Sequence, residues 1–156
     1  VFTSLRSTPG ISGYALLDGD KTIPTPSTTH PQERVRYLGI VSREAENLYL
    51  ADEVLGVLGY TSWEDACVRI RAEAHNHGAI QARLETCTEW NREQEDLKGL
   101  IGALSKILDP NGTDWAIRVG KYLGTNRPSG QIGDFLGNDV VNALWGIPET
   151  EATVGN

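Results

Sequence analysis

From Val35, the apolar residues Leu38, Val41, Ala45, Leu48, Leu50, Val54, Leu55 and Leu58 recur mostly three and four positions apart. That repeat is one face of an α-helix. Pro31 suits a first helical position and Thr29 or His30 a cap before it, so the pattern predicts a long helix opening at His30-Pro31-Gln32-Glu33. Gly56 and Gly59 weaken its end, and Gly59-Tyr60-Thr61-Ser62 reads as a stop followed by a new cap. A second helix is expected from Ser62, with Glu64 and Asp65 in a first turn that favours negative charge. Its buried stripe would be Trp63, Ala66, Cys67, Ile70 and Ala74, and Gly78 ends it.

The helical spacing resumes from Ala79 to Leu108, where Ile80, Leu84 and Cys87 lead toward Leu97, Ile101, Leu104 and Leu108. Between them Glu89-Trp90-Asn91-Arg92-Glu93-Gln94-Glu95-Asp96 is polar all round. Either one helix projects its middle into solvent or against a partner, or two helices meet there at a break. Asp109-Pro110-Asn111-Gly112 is a turn, after which Thr113 would cap a helix carrying Trp115, Ile117, Val119, Tyr122 and Leu123. Gly124 to Gly130 reads as a loop. Ile132, Phe135, Leu136, Val140, Val141, Leu144 and Trp145 then predict one or two short helices broken near Gly137.

The first part of the chain has a different pattern. Gly13-Tyr14-Ala15-Leu16-Leu17 and Lys21-Thr22-Ile23 flank Asp18-Gly19-Asp20, which predicts two short strands around an Asp-Gly turn. A calcium loop on Asp18 and Asp20 lacks further oxygen ligands at regular offsets. Thr22 to Pro31, with three prolines and four threonines, is extended linker. The expected architecture is mainly α, a helical bundle of about five helices with a small N-terminal β-hairpin or extended arm. Residues 1–30 would form the arm, 31–147 the helical domain and 148–156 a flexible tail.

Composition narrows the classes of function. The 156 residues include 14 basic and 21 acidic side chains, a net charge of −7, and no apolar run approaches a membrane span. An acidic total argues against a protein whose main work is coating bare nucleic acid. Without a basic-then-apolar leader at Val1-Phe2-Thr3-Ser4-Leu5-Arg6, the chain reads as cytoplasmic or the content of a viral particle, and not secreted. The absence of methionine fits a processed start.

Candidate chemistry is sparse. His75 and His77 flank Asn76 beside Glu73, but residues two apart on a helix point in nearly opposite directions, so they do not face one ligand. They read as a solvated helix end; a metal site on Glu73, His75 and His77, serving a small metal-dependent enzyme, is the alternative. Cys67 and Cys87 lie on apolar faces and read as small hydrophobes; packing of their helices about Gly78 would also let them form a disulfide. No Gly-x-Ser-x-Gly elbow, P-loop or Gly-x-Gly-x-x-Gly run occurs. No catalytic residue, cofactor or small-molecule substrate is therefore assigned.

Arginine outnumbers lysine ten to four. Arg34, Arg36, Arg43, Arg69 and Arg71 could line a phosphate-gripping groove if their helices pack side by side, or each could pair with a nearby carboxylate. Trp90, Arg92, Tyr37 and Trp145 are the candidate interface residues, because tryptophan and arginine anchor interfaces. One segment resembles a known family. Leu50 to Glu64, with an aspartate, an aliphatic pair and Leu58-Gly59-Tyr60 before a helix, is similar to the BRO-N type of phage antirepressor and damage-inducible proteins. The resemblance implies a DNA-binding module of a phage-related regulator. From the residues themselves, the expectation is a non-enzymatic, self-associating structural or assembly protein, a homo-oligomer with nucleic acid as a possible partner and no membrane. A viral or phage particle subunit is one form of it.

Overall fold

Ala15 is buried while its neighbours Tyr14 and Leu16 are exposed, the alternation of a strand lying on a core. This strand, β1 (Gly13–Leu17), and β2 (Val35–Gly39) form a parallel pair in register from Gly13 opposite Val35 to Leu17 opposite Gly39. The computed structural model describes residues 13–24, 35–86 and 89–146, which are mainly helical apart from this strand pair near the N-terminus. The strand pair is therefore not a hairpin closed at Asp18-Gly19. Gly19 is needed there for close approach: its amide donates to the Ser42 carbonyl at 3.1 Å, and a Cβ would lie 2.3 Å from that oxygen. Asp18 Oδ1 accepts from the Ala45 amide at 3.1 Å, and its Oδ2 meets Lys98 Nζ at 3.3 Å. The Asp-Gly turn is present, the Lys21 amide donating to Asp18 O at 3.0 Å, but it docks the first strand onto the body and closes no hairpin.

The long helix expected from residue 31 is also replaced. β2 runs into an irregular stretch, a 3₁₀ segment at Ala45–Leu50 and a short helix α1 (Asp52–Val57). Burial explains the change. Leu38, Ile40, Ser42 and Glu44 are all buried while Val41 is half exposed, a period of two that outcompetes the looser three-and-four pattern. Asn47 through Ala51 are then buried at five successive positions, so this segment has no solvent face and forms the centre of the core. The proposed helix start at Thr29 to Glu33, most of the linker, Arg34, Cys87 and the tail lie outside the described residues.

Elsewhere the elements follow the sequence signals more closely. Helix α2 (Trp63–Glu73) begins at Ser62, whose hydroxyl accepts from the Asp65 amide. A 3₁₀ turn at Ala74–Asn76 follows, and Gly78 opens α3 (Gly78–Thr86) where it was expected only to end α2. The remaining helices are α4 (Ile101–Leu108), α5 (Trp115–Thr125), α6 (Gly130–Leu136) and α7 (Asn138–Trp145). Asp114 caps α5, accepting from the Ala116 amide at 2.9 Å, so the cap lies one residue beyond Thr113. Gly137, at φ +84°, breaks α6 from α7 as expected.

The core joins Leu50, Leu55, Ile80, Leu97, Leu104, Ile107, Ile132 and Val140, each no more than 2% exposed. Two features fix its outer helices. The Glu53 carboxylate accepts from the Gln131 and Ile132 amides at the start of α6, and Gln131 Oε1 accepts from the Asp52 amide at the start of α1. Each helix thereby satisfies the other's orphan donors. The second feature is the end of α1, where Gly59 has φ +93°. The Tyr60 amide donates to Leu55 O and the Gly59 amide to Gly56 O, the paired bonds of a glycine-terminated helix end. Tyr60 Oη donates to Leu108 O at 3.0 Å, tying α1 to the end of α4.

Candidate functional site

The first turn of α2 places Trp63, and the irregular segment between α3 and α4 places Trp90. Their ring centroids lie 6.3 Å apart at an interplanar angle of 41°. The two walls have different supports. Trp63 rides on a helix whose Ala66 and Ile70 are buried in the core, whereas Trp90 immediately precedes a single turn, in which the Gln94 and Glu95 amides donate to Asn91 O, and lies on no regular element.

That second segment is held by a buried polar network. Asn47, fully buried, donates from Nδ2 to the Arg92 and Glu95 carbonyls at 2.7 and 3.0 Å, and its Oδ1 accepts from the Glu44 amide at 2.9 Å. Glu44 Oε2 accepts from the Leu97 and Lys98 amides at 3.1 and 3.2 Å. The Arg43 amide donates to Glu93 O at 2.8 Å. Thus, of the two alternatives for the stretch that is polar all round in sequence, the structure has the break, with α3 and α4 separate on either side of it. It is an irregular strap whose Glu95 and Leu97 are buried.

Arginines flank the tryptophan pair. The Arg83 guanidinium forks onto Glu95 through Nε and Nη2, at 2.5 and 2.6 Å, and lies 5.9 Å from the Trp90 ring centre. Arg92 lies 5.0 Å from the Trp63 ring centre, with its Nη1 donating to Leu50 O at 2.9 Å and to Asp52 Oδ1 at 2.6 Å. Both cations are thus neutralised by a carboxylate and held against an indole. The Trp90 indole N–H is buried without an acceptor, so its ring is held by its faces.

Beside the pair opens a cleft of about 420 Å³ lined by Trp63, Glu64, Cys67, Ile70, Arg71, Leu84, Glu89 and Trp90. That is within the range of small-ligand and side-chain pockets. Its floor is apolar and its rim charged. Glu64 is exposed, and hydrogen bonds from its own amide and from Ser62 hold its carboxyl below the usual range. Burial pushes the Cys67 thiol up, away from the reactive thiolate.

The candidate interface residues are divided by the fold. Trp90 and Arg92 come together with Trp63, whereas Tyr37 and Trp145 belong to β2 and α7, which pack on each other. Of the proposed phosphate contacts, Arg36 is exposed on β2 and Arg71 lines the cleft. Arg43 pairs with Asp96 at 3.2 Å, and Arg69 with Glu73 at 3.2 Å. His75 Nδ1 lies 3.0 Å from the Ala72 carbonyl, and Glu73 Oε2 accepts from Asn76 Nδ2 at 3.1 Å. Among the described residues no group of three or more His, Cys, Asp or Glu is placed to hold a metal. Nor is any helix there long and apolar enough to cross a membrane.

Sequence reasoning missed Trp63, Glu64 and Leu84 as cleft residues because it placed Trp63 and Leu84 on buried stripes. Both are in fact half-buried. A tryptophan in a first helical turn, followed by an acid, was the one available signal. No protein-family model, curated protein or solved structure matches the chain. The segment resembling BRO-N domains is built as the 3₁₀-helix, α1 and its glycine terminus, so a structural role accounts for Leu58-Gly59-Tyr60.

Proposed function

We propose that this chain is a non-enzymatic assembly protein that self-associates, with the Trp63–Trp90 cleft as its contact face. The cleft is the observation that carries the reading. It combines two half-buried tryptophans, an apolar floor and a charged rim, the composition that concentrates binding energy in protein interfaces. Val68, 67% exposed, lies four residues after Glu64 and three before Arg71 on α2, so it extends the apolar surface from the rim. A subunit of this kind would act in the cytoplasm or within a viral particle, and the exposed Arg36 and Arg69 are its candidate phosphate contacts.

Light scattering on a sizing column, with absorbance read at 260 and 280 nm before and after nuclease, tests the proposal. A species larger than one chain is expected, and Val68→Asp, a change at an exposed position, should disperse it without lowering the melting temperature. A strict monomer at high concentration overturns the proposal. An absorbance ratio that falls with nuclease would place nucleic acid in the assembly, as the arginine contacts require.

A further inference from the structure

The cleft also carries information about what it grips. We infer that the Trp63–Trp90 cleft takes a basic side chain, arginine or lysine, of a protein partner; this deepens the reading of the cleft as the contact face and rests on it.

Three observations support a cationic occupant. Both walls are indoles, the aromatic faces that attract cations most strongly. Each already demonstrates that preference within this fold, since Arg92 sits over Trp63 and Arg83 over Trp90. Those two guanidiniums are anchored and neutralised by Asp52 and Glu95, so they leave the local charge balance to the rim. The rim sets two carboxylates, Glu64 and Glu89, against one guanidinium, Arg71. Glu64 is exposed on the first turn of α2, its carboxyl steadied by its own amide and by Ser62, and this places a fixed negative charge where the incoming head group arrives. An anionic occupant would face Glu64 and Glu89 together, on a chain whose net charge is −7. The apolar floor of Ile70, Leu84 and Cys67 suits the methylene stem of a long basic side chain, which covers apolar surface while its head stays polar. Val68, exposed one turn after Glu64 and outside the cleft lining, offers an apolar contact for the neighbouring residue of the partner.

The test uses the full chain and a short glycine-serine peptide carrying two arginines, titrated by calorimetry and by tryptophan fluorescence. Its controls are the same peptide with citrulline, which keeps the shape and removes the charge, and with glutamate. The arginine peptide should bind about tenfold more tightly than the citrulline peptide, the combined effect of a cation–π contact and a carboxylate. Added salt should weaken it. Glu64→Gln should weaken it about threefold or more, and Glu64→Lys further. Both variants change an exposed side chain; Glu64→Gln should melt close to the parent, and Glu64→Lys, which sets a cation at the start of α2, somewhat lower, so the Gln variant carries the test. Equal binding of arginine and citrulline peptides, tighter binding of the glutamate peptide, or no binding at millimolar concentration overturns the inference. The oligomer measurement separates the two proposals. A monomer that selects the arginine peptide retains this inference and discards self-association. An assembly dispersed by Val68→Asp but indifferent to the arginine peptide does the reverse.

Discussion

The two walls of the cleft place the same kind of side chain by opposite means. Trp63 is presented by α2, a capped helix that buries Ala66 and Ile70 and forms its own backbone hydrogen bonds. Trp90 is presented by a strap with neither a regular backbone pattern nor a continuous apolar face. Asn91 satisfies one turn of it locally, and the Arg92 and Glu95 carbonyls and the Leu97 and Lys98 amides are satisfied from outside, by Asn47 and Glu44. The lesson is that an aromatic site can be half propensity and half tertiary accounting. Buried backbone groups must find partners somewhere, and here two polar residues from a distant part of the chain supply them.

The largest effect expected from breaking this arrangement is at Asn47. Asn47→Ala removes three hydrogen bonds, two buried and one partly buried, and leaves the Arg92 and Glu95 carbonyls and the Glu44 amide without their Asn47 partner. The cost should be roughly 3–5 kcal/mol in urea unfolding, with faster amide exchange at Leu97 and Lys98 and altered Trp90 fluorescence. Ile70→Ala leaves a cavity beneath the other wall and should cost about 2–4 kcal/mol, lowering global stability while leaving exchange in the strap near its native level. If Ile70→Ala loosened the strap and Asn47→Ala did not, the contrast between the walls would be wrong.

The smallest effect sharpens the contrast from the opposite side. Tyr49 is fully buried at the centre of the core and its hydroxyl lacks a partner. Unlike Asn47 it has no hydrogen bond to lose, so Tyr49→Phe should fall within about 1 kcal/mol of the parent or be stabilising. Burial raises the Tyr49 phenol above its ordinary value of 10.0. The folded state then favours the neutral form, so that stability is intact below pH 10 and is lost as pH rises past it. Burial raises Tyr60 as well, so the phenylalanine variant should flatten the alkaline loss without abolishing it. An unchanged alkaline slope in Tyr49→Phe would count against that assignment.

Some of this architecture is written locally. Ser62 before Trp63-Glu64-Asp65, the Asp109-Pro110-Asn111-Gly112 turn, Gly59 and Gly137 are signals that act within a few residues, and each marks an element boundary close to where it was expected. The mainly helical class follows from the same short-range chemistry of caps, glycines and apolar spacing. The stretch from Val35 to Leu58 was misread because its apolar residues satisfy a helical period and a period of two at once. Propensity could not choose between them. The choice fell to partners far along the chain: β1 beside β2, Phe135 O accepting from the Val41 and Ser42 amides, and the core closing around Asn47 to Ala51 on every side.

The cleft lies on the same divide. Trp90 and Arg92 could be singled out by residue type, but not their meeting with Trp63, Glu64 and Leu84. Residue type and spacing along the chain determined the helical class and the boundaries at Ser62 and Gly137, but not the path from Val35 to Leu58. Only the tertiary structure decided which polar residues would be buried, because the free energy of Asn47, Glu44 and Glu95 depends on partners between 12 and 54 positions away. No local pattern encodes a hydrogen bond of that reach.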